Sequence, residues 1–444
     1  MLRTFRKGGI HPSENKISRG AAIVELPIPS EVKIPISQHI GAPAKVLVKR
    51  GDVVKVGTLI AESGGFISAN IHSSISGTVS KLEDVVDASG YKKSVVTIKS
   101  DGEDLWEEYI DRSKDLVREC TLSPEEITKR IAECGVVGMG GATFPTNVKL
   151  MPPKDATPEV VIINGVECEP YLTADHRVMI ERGEELLVGT TILMKAAGVS
   201  RGVIAIENNK KDAIRHLAQL AKSYPGVEVM PLKVKYPQGG EKQLIDAVLK
   251  RQVGSGKLPV TVGAIVQNVG TTIAVYEAVQ KHKPLMSRVV TVTGKGVPNP
   301  SNFFVRLGAS TAYLIEAAGG VPEATAKIIS GGPMMGKALS REDVPVTKGT
   351  SGVLLLPEEE TRRKPMRNCI RCAKCVSACP MGLNPAFLMR DVVFKDMDAC
   401  EKQHIVDCIE CGSCSFTCPA NRPLLDYIRL GKKEVLGIIR ARKS

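Results

Sequence analysis

A chain of 444 residues is long for a single hydrophobic core, so three or four domains are expected. Hydrophobic content of 43% is ordinary globular usage, and the longest apolar runs, such as Val289 to Val292 and Val353 to Leu356, are strand-length and too short to span a bilayer. The formal charge of +12 would suit nucleic acid, but the bases are scattered and only 4% of residues are aromatic, so no nucleic-acid partner is expected.

Residues 32 to 99 alternate short Val/Ile runs with Gly and Asp turns, as in Lys45 to Ile60 and again in Ile71 to Leu82, which predicts a small all-β module. The pair resembles the two halves of the barrel-sandwich of biotinyl and lipoyl carriers. Where carriers hold a modifiable lysine, this chain has Ser68-Ala-Asn70-Ile-His72, so docking or support is expected rather than a swinging arm. Ser123-Pro124-Glu125-Glu126 predicts a capped helix start. Beyond it, Val160 to Gly165 and Gly202 to Asn209 read as buried strands separated by a helical stretch, Glu181 to Ala197, with another from Lys211 to Ser223. That alternation predicts an α/β layer with a mainly parallel sheet. Ligands in such folds sit beyond the carboxyl ends of strands, here at Asn164, Glu167, Glu207 and Asn208. Val289 to Pro298 reads as a strand and turn, Val305 to Glu316 as helical, and the two together as a β-grasp-like module. Pro357 to Met366 reads as a charged linker.

The segment Gly135-Val-Val-Gly138-Met-Gly140-Gly141-Ala-Thr143-Phe-Pro-Thr146-Asn-Val-Lys149 places glycines where backbone N–H groups can converge on a phosphate or a flat ring. It is not the dinucleotide fingerprint, because Thr143 stands where the third glycine belongs and no strand leads into it. By itself it is equally readable as a structural turn.

Two further runs, Cys369-x2-Cys372-x2-Cys375-x3-Cys379-Pro380 and Cys408-x2-Cys411-x2-Cys414-x3-Cys418-Pro419, write one ligand pattern twice. The spacing fits a pair of cubane iron–sulfur clusters in which each fourth cysteine crosses over. One cluster would use Cys369, Cys372, Cys375 and Cys418, and the other Cys408, Cys411, Cys414 and Cys379. Paired zinc knuckles also use C-x2-C, but four ligands at x2-x2-x3 followed by proline fit a cubane better. Nothing at the N-terminus reads as a signal peptide, so reduced thiols and a reducing compartment are expected. Between Cys379 and Cys408 a helix from Pro385 to Phe394 fits. Cys120, Cys134 and Cys400 fall outside the ligand sets and read as packed thiols, as does Cys168. The final stretch from Arg429 to Lys443 carries six bases against one acid, either resting on acidic protein or lipid or solvated.

Clusters pass single electrons and nicotinamides exchange hydride, so a route joining them needs a flavin. Gly138 to Thr146, Asn164-Gly-Val-Glu167-Cys168-Glu169-Pro170 and Gln267-Asn268 resemble the flavin- and NADH-binding subunit of respiratory complex I. With Gly8-Gly-Ile-His-Pro12, the barrel-sandwich and two C-terminal cubanes, the chain is more similar to the C subunits of the Rnf ion-translocating NAD:ferredoxin oxidoreductases. The resemblance implies a multidomain α/β fold: a barrel-sandwich over 1–100, a Rossmann-like FMN/NADH domain over 101–285, a β-grasp-like soluble-ligand-binding module over 286–357, and a helical two-cluster ferredoxin domain with a basic tail over 358–444. It implies FMN against Gly138, Gly140 and Gly141, with Lys149 near its phosphate or ring edge and Asn164 on the isoalloxazine. Glu167, Glu169 and Glu241 are implied to border the nicotinamide of NADH, and Asn268, with Thr271 or Thr272, to contact the phosphate side. The implied cofactors are FMN, NADH/NAD+ and two [4Fe-4S] clusters. The implied partners are the membrane subunits of the complex and an iron–sulfur partner, with ferredoxin at the level of the whole complex, on the cytoplasmic face. The rival reading is a flavin-free iron–sulfur conduit to a quinone- or corrinoid-linked partner.

Overall fold

The computed structural model describes residues 2–153 and 155–442. The Val/Ile runs at Val160–Gly165 and Gly202–Glu207 are central strands of a four-stranded parallel sheet whose outer members are Val227–Leu232 and Ala264–Asn268. Strands buried on both faces need near-continuous apolar runs, which Val160–Ile163 and Val203–Ile206 supply before the polar carboxyl ends at Asn164 and Glu207. Helices Pro124–Glu133, Ala174–Glu181, Gly183–Ala197, Lys211–Leu220 and Val269–Lys281 enclose the larger core on one side, and Glu241–Leu249 covers the other. In chain order the four strands lie 3-2-1-4, so the connection reverses direction between the Val160 and Ala264 strands. Asn164 and Asn268 are register partners at that switch point, where such sheets open a ligand crevice.

The barrel-sandwich pairs a four-stranded sheet, built on Glu31–Pro35, Gly77–Val86 and Lys92–Ser100, with a three-stranded one around an Ile/Val core. Its hairpin tip is not free. Ala69 packs into the core of the flavin-domain candidate, Asn70 Nδ2 donates to the Glu133 carbonyl (3.1 Å), and buried Lys348 Nζ ties the Asn70 and Gly135 carbonyls together at 2.8 and 2.7 Å. Gly135 is needed there: at φ +61°, a side chain would sit 2.2 Å from the Asn70 oxygen. The tip thus works as a fixed dock.

Residues 2–25 reach beyond the barrel sheets: Ile10 exchanges hydrogen bonds with Tyr236 (2.9 Å each way) and Ile23–Glu25 adds a parallel edge strand to the β-grasp-like sheet. Three expectations need correction. Val305 to Glu316 is not one helix. Ser301–Arg306 is a strand antiparallel to Ser287–Thr293, with Phe303 and Val305 facing the core, and the helix begins only at Thr311 under a Ser310 cap. Glu181 to Ala197 is broken at Arg182, and Gly183 lets the next helix approach His216. The basic end is a packed helix and not an unstructured solvated tail, with Lys433, Arg440 and Arg442 still exposed. Leu424–Ala441 is an 18-residue helix packed on Pro385–Val393, with Arg429 and Lys432 paired to Glu410 and Arg442 to Glu401; the last two residues lie outside the described part.

Candidate functional site

The glycine segment runs from the helix Pro124–Glu133 to the short helix Thr146–Lys149 and lies across the mouth of the crevice. Gly138 N–H donates to Phe144 O (2.9 Å) and Met139 N–H to Thr271 Oγ1 (2.8 Å), which pins the near end. Gly140, Gly141 and Ala142 are exposed, and the amides of Gly140, Gly141, Ala142 and Thr143 have no hydrogen-bond acceptor among the described residues. Consecutive free amides on a turn form an anion cradle. Gly140 lies directly over Asn268, where a Cβ would come within 2.7 Å of its amide nitrogen, while nothing stands within 4 Å of one built at Gly141. These features fit a flavin phosphate or ring edge.

The side chains implied for the pocket all have protein partners. Lys149 Nζ donates to Glu241 Oε1 (2.7 Å) and Val266 O (3.0 Å), so Lys149 and Glu241 form one half-buried ion pair on the crevice wall. Asn164 spans Gly239 O (2.8 Å) and the Val166 amide (3.2 Å). Asn268 caps the helix Val269–Lys281 through the Gly270 amide (2.8 Å) and donates to Asp175 Oδ2 (2.7 Å). Glu167, at φ +45°, accepts the Asp175 and His176 amides (2.8 and 3.3 Å), so it acts as the N-terminal cap of Ala174–Glu181. Glu169 stands apart from Glu167: it accepts the Met334 and Met335 amides (3.1 and 2.9 Å) and lies 3.3 Å from Tyr236 OH. Burial raises its carboxyl to about 7 despite those donors, and burial together with the charge of Glu167 raises Asp175 to about 7.

Several members of this region were not expected from sequence. Arg288 is buried behind the glycine segment and donates to the carbonyls of Met139 and Lys348. Lys16 Nζ donates to the Glu167, Glu169 and Leu172 carbonyls at 2.8, 2.9 and 2.6 Å, fixing the turn that carries both glutamates. Only the inward register of the Ser287–Thr293 strand hints at Arg288, and Lys16 has no local signal. Cys168 is a lining thiol that accepts the Gly239 amide (3.4 Å), and burial pushes its pKa up, away from a nucleophile's. Cys134 and Cys400 are buried, while Cys120 is half-exposed.

The two cysteine runs fold alike. Arg371 and Ala373 in the first, like Glu410 and Gly412 in the second, adopt left-handed backbone at matching positions, which curls each run around a centre. Cys379, Cys408, Cys411 and Cys414 line one small apolar cavity. Burial raises Cys408 to about 11 and Cys414 to about 12, so metal entry has to displace their protons. In the other set Cys375 and Cys418 are neighbours; burial first, then the Cys418 thiol, raises Cys375. Cys369 and Cys372 stand on an exposed coil just before them. Among the described residues no three His, Cys, Asp or Glu side chains are arranged to hold a single metal ion, whereas four thiols spread around one apolar cavity suit ligation of a multi-iron cluster better than of one zinc ion.

The cavity set is fastened to the rest of the molecule. Tyr236 OH reaches the Cys411 carbonyl (2.9 Å), Gly9 N–H donates to Ala378 O (3.0 Å), and Gly8, at φ +69°, lies so near Cys379 that a Cβ would be 2.5 Å from its carbonyl. No helix among the described residues is long and apolar enough to cross a membrane.

Comparison with known proteins gives four consecutive family matches. Residues 4–103 match the RnfC barrel sandwich hybrid domain, 131–277 the Nuo51 FMN-binding domain, 289–338 the SLBB domain, and 368–422 the 4Fe-4S dicluster domain. The chain is 46% identical to the C subunit of the proton-translocating ferredoxin:NAD(+) oxidoreductase complex of Clostridium ljungdahlii, over 98% of this chain and 94% of that protein. It is 42% identical to the C subunit of the Na(+)-translocating ferredoxin:NAD(+) oxidoreductase complex of Acetobacterium woodii, over 97% of each. With the C subunit of the ion-translocating oxidoreductase complex of Rhodobacter capsulatus it shares 40% identity, over 97% of this chain and 83% of that protein.

Proposed function

Because this chain belongs to the family of C subunits of ion-translocating ferredoxin:NAD(+) oxidoreductase complexes, we propose that it is the electron-exchange component joining NADH to the other subunits of such a complex. When bound, FMN would exchange hydride with the nicotinamide and single electrons with the clusters. The observation that carries this reading is the coexistence of the free-amide glycine segment with two cysteine sets, one of them tied by hydrogen bonds to the crevice domain. In this reading the amides of Gly140 to Thr143 hold the flavin's anionic end. Lys149, kept in place by Glu241, supplies the positive charge beside it, and Asn164 fixes the ring edge. Glu169 faces the nicotinamide side, while Glu167 and Asn268 hold the crevice in shape as helix caps. The clusters are assigned to Cys369, Cys372, Cys375 and Cys418 on the outside, and to Cys379, Cys408, Cys411 and Cys414 within. The chain would sit peripherally on the cytoplasmic face of the membrane, next to its membrane-embedded partners.

The decisive experiment is anaerobic purification followed by addition of NADH. Bleaching of flavin absorbance, then of the broad cluster absorbance, is expected. Protein that holds iron and sulfide but no flavin, and does not bleach, would instead support the conduit reading.

A further inference from the structure

The two cysteine sets have unequal surroundings. Cys379, Cys411 and Cys414 are buried, and their cavity is held against the crevice domain by Tyr236, Gly9 and the close approach of Gly8. Cys369 and Cys372 are exposed, and so is every residue from 362 to 374. That stretch carries six bases, Arg362, Arg363, Lys364, Arg367, Arg371 and Lys374, and no acid. Among the described residues only one of the six, Arg363, is held in an ion pair, with Asp426. Between the bases stand apolar side chains that a solvated face would not hold out: Ile370 is 70% exposed and Met366 56%. Phe387, on the helix adjoining Cys375, is 51% exposed, and Phe416, two residues before Cys418, is 55% exposed. An apolar centre within a charged rim is the anatomy of a transient protein interface.

We infer that the face formed by residues 362–374 with Phe387 and Phe416 docks an acidic protein that carries a one-electron centre, and that the Cys369 set is the port through which it exchanges electrons. This inference rests on the function proposed above and adds the order of the clusters: the Cys379 set meets the flavin domain, and the Cys369 set meets the partner. The step transfers one electron; the donor cluster is oxidised by one, the partner's centre is reduced by one, and no bond or proton moves. The charge pattern asks for a partner surface with a carboxylate rim, and the exposed thiols at its centre favour a redox protein over a lipid headgroup, which accepts no electron. Complementary charge acts mainly on encounter rate and on salt dependence.

The test uses the full chain in the purified, detergent-solubilised complex. Arg362→Glu/Lys364→Glu/Arg367→Glu is expected to keep its iron and flavin and to bleach with NADH as before. Its affinity for the remaining subunits should drop by about tenfold or more at low salt, and the difference should vanish near 1 M salt, where screening reaches about 3 Å. A photo-crosslinking residue at position 370 should join the chain to a neighbouring protein of the complex, at an Asp/Glu-rich peptide. Should the reversal impair cluster loading, the milder Arg362→Gln/Lys364→Gln/Ile370→Ser replaces it with the same readouts. Unchanged salt-dependent affinity, a crosslink to a basic or buried peptide, or loss only of binding to phosphatidylglycerol vesicles with no crosslink to another protein of the complex would each overturn the inference. Loss of NADH bleaching in the unaltered chain would instead undo the functional reading beneath it.

Discussion

Glu169 shows how little a residue's sequence neighbours say about its role. It is two positions from Glu167, yet Glu167 caps a helix while Glu169 bridges toward the segment at Met334 and toward Tyr236. Because burial raises the Glu169 and Asp175 carboxyls to about 7, the folded protein holds more protons there than the unfolded chain. Their contribution to stability is therefore complete below the unfolded carboxyl range and is lost as pH rises through about 7. Denaturant unfolding of the flavin domain in the intact protein should weaken from pH 5 toward pH 8, and Glu169→Gln or Asp175→Asn should flatten that decline. A slope unaltered by both would show that neither carboxyl is held protonated. Above pH 7, where Glu169 is ionised, Glu169→Gln should also slow NADH-driven flavin bleaching by about ten- to a hundredfold, the value of one charged hydrogen bond at roughly 1.5 to 3 kcal/mol, with flavin content unchanged. Lys149→Met should act on the flavin itself: losing the ammonium while leaving Glu241 unpaired on the crevice wall should weaken FMN retention by at least about tenfold. Flavin released on dilution, followed by fluorescence, measures it.

Among the elements, the glycine segment and the cysteine runs each rest on a close backbone approach. A valine at Gly140 would drive a branched side chain into Asn268 and so disturb both the cap of Val269–Lys281 and the amide cradle. Gly140→Val should lose FMN while retaining its iron, since the cluster domain has its own core. Flavin content near that of the unaltered protein would refute the cradle. The crossed ligation proposed for the two clusters gives a second expectation. Cys379→Ser should damage the cluster whose cavity it shares with Cys408, Cys411 and Cys414, leaving the paramagnetic signal of the exposed set. Disappearance of the exposed set's signal alone would mean each run binds its own cluster. At this scale much was legible. The Ser123 capping box, the Val160 and Gly202 strands and the helix beginning at Pro385 are local patterns that the tertiary structure had no reason to override. The Val305 stretch misled because Phe303 and Val305 belong to a two-residue period whose partner strand is more than ten residues upstream.

For the whole molecule, the expectation is about eight iron, eight sulfide and one FMN per chain under anaerobic conditions, checked by metal, sulfide and flavin analysis. The junction at Gly8, Gly9 and Tyr236 adds a sharper one. Gly8→Val places a side chain against the Cys379 carbonyl and should slow cluster reduction by about ten- to a hundredfold while flavin bleaching by NADH keeps its rate, a split that stopped-flow traces resolve. Equal slowing of both phases would point to general damage. The cysteine spacing, the glycine segment and the four-domain order were determined by sequence alone, because ligand spacing, backbone freedom and hydrophobic period act over a few residues. The commitments of Glu167 and Asn268 as caps, the dock made by the barrel tip and Lys348, the N-terminal strand in a distant sheet, and the burial of one cysteine set against the exposure of the other were decided only by the tertiary structure. Each depends on pairing between segments tens to hundreds of residues apart, and no local pattern encodes which surface a distant segment will cover.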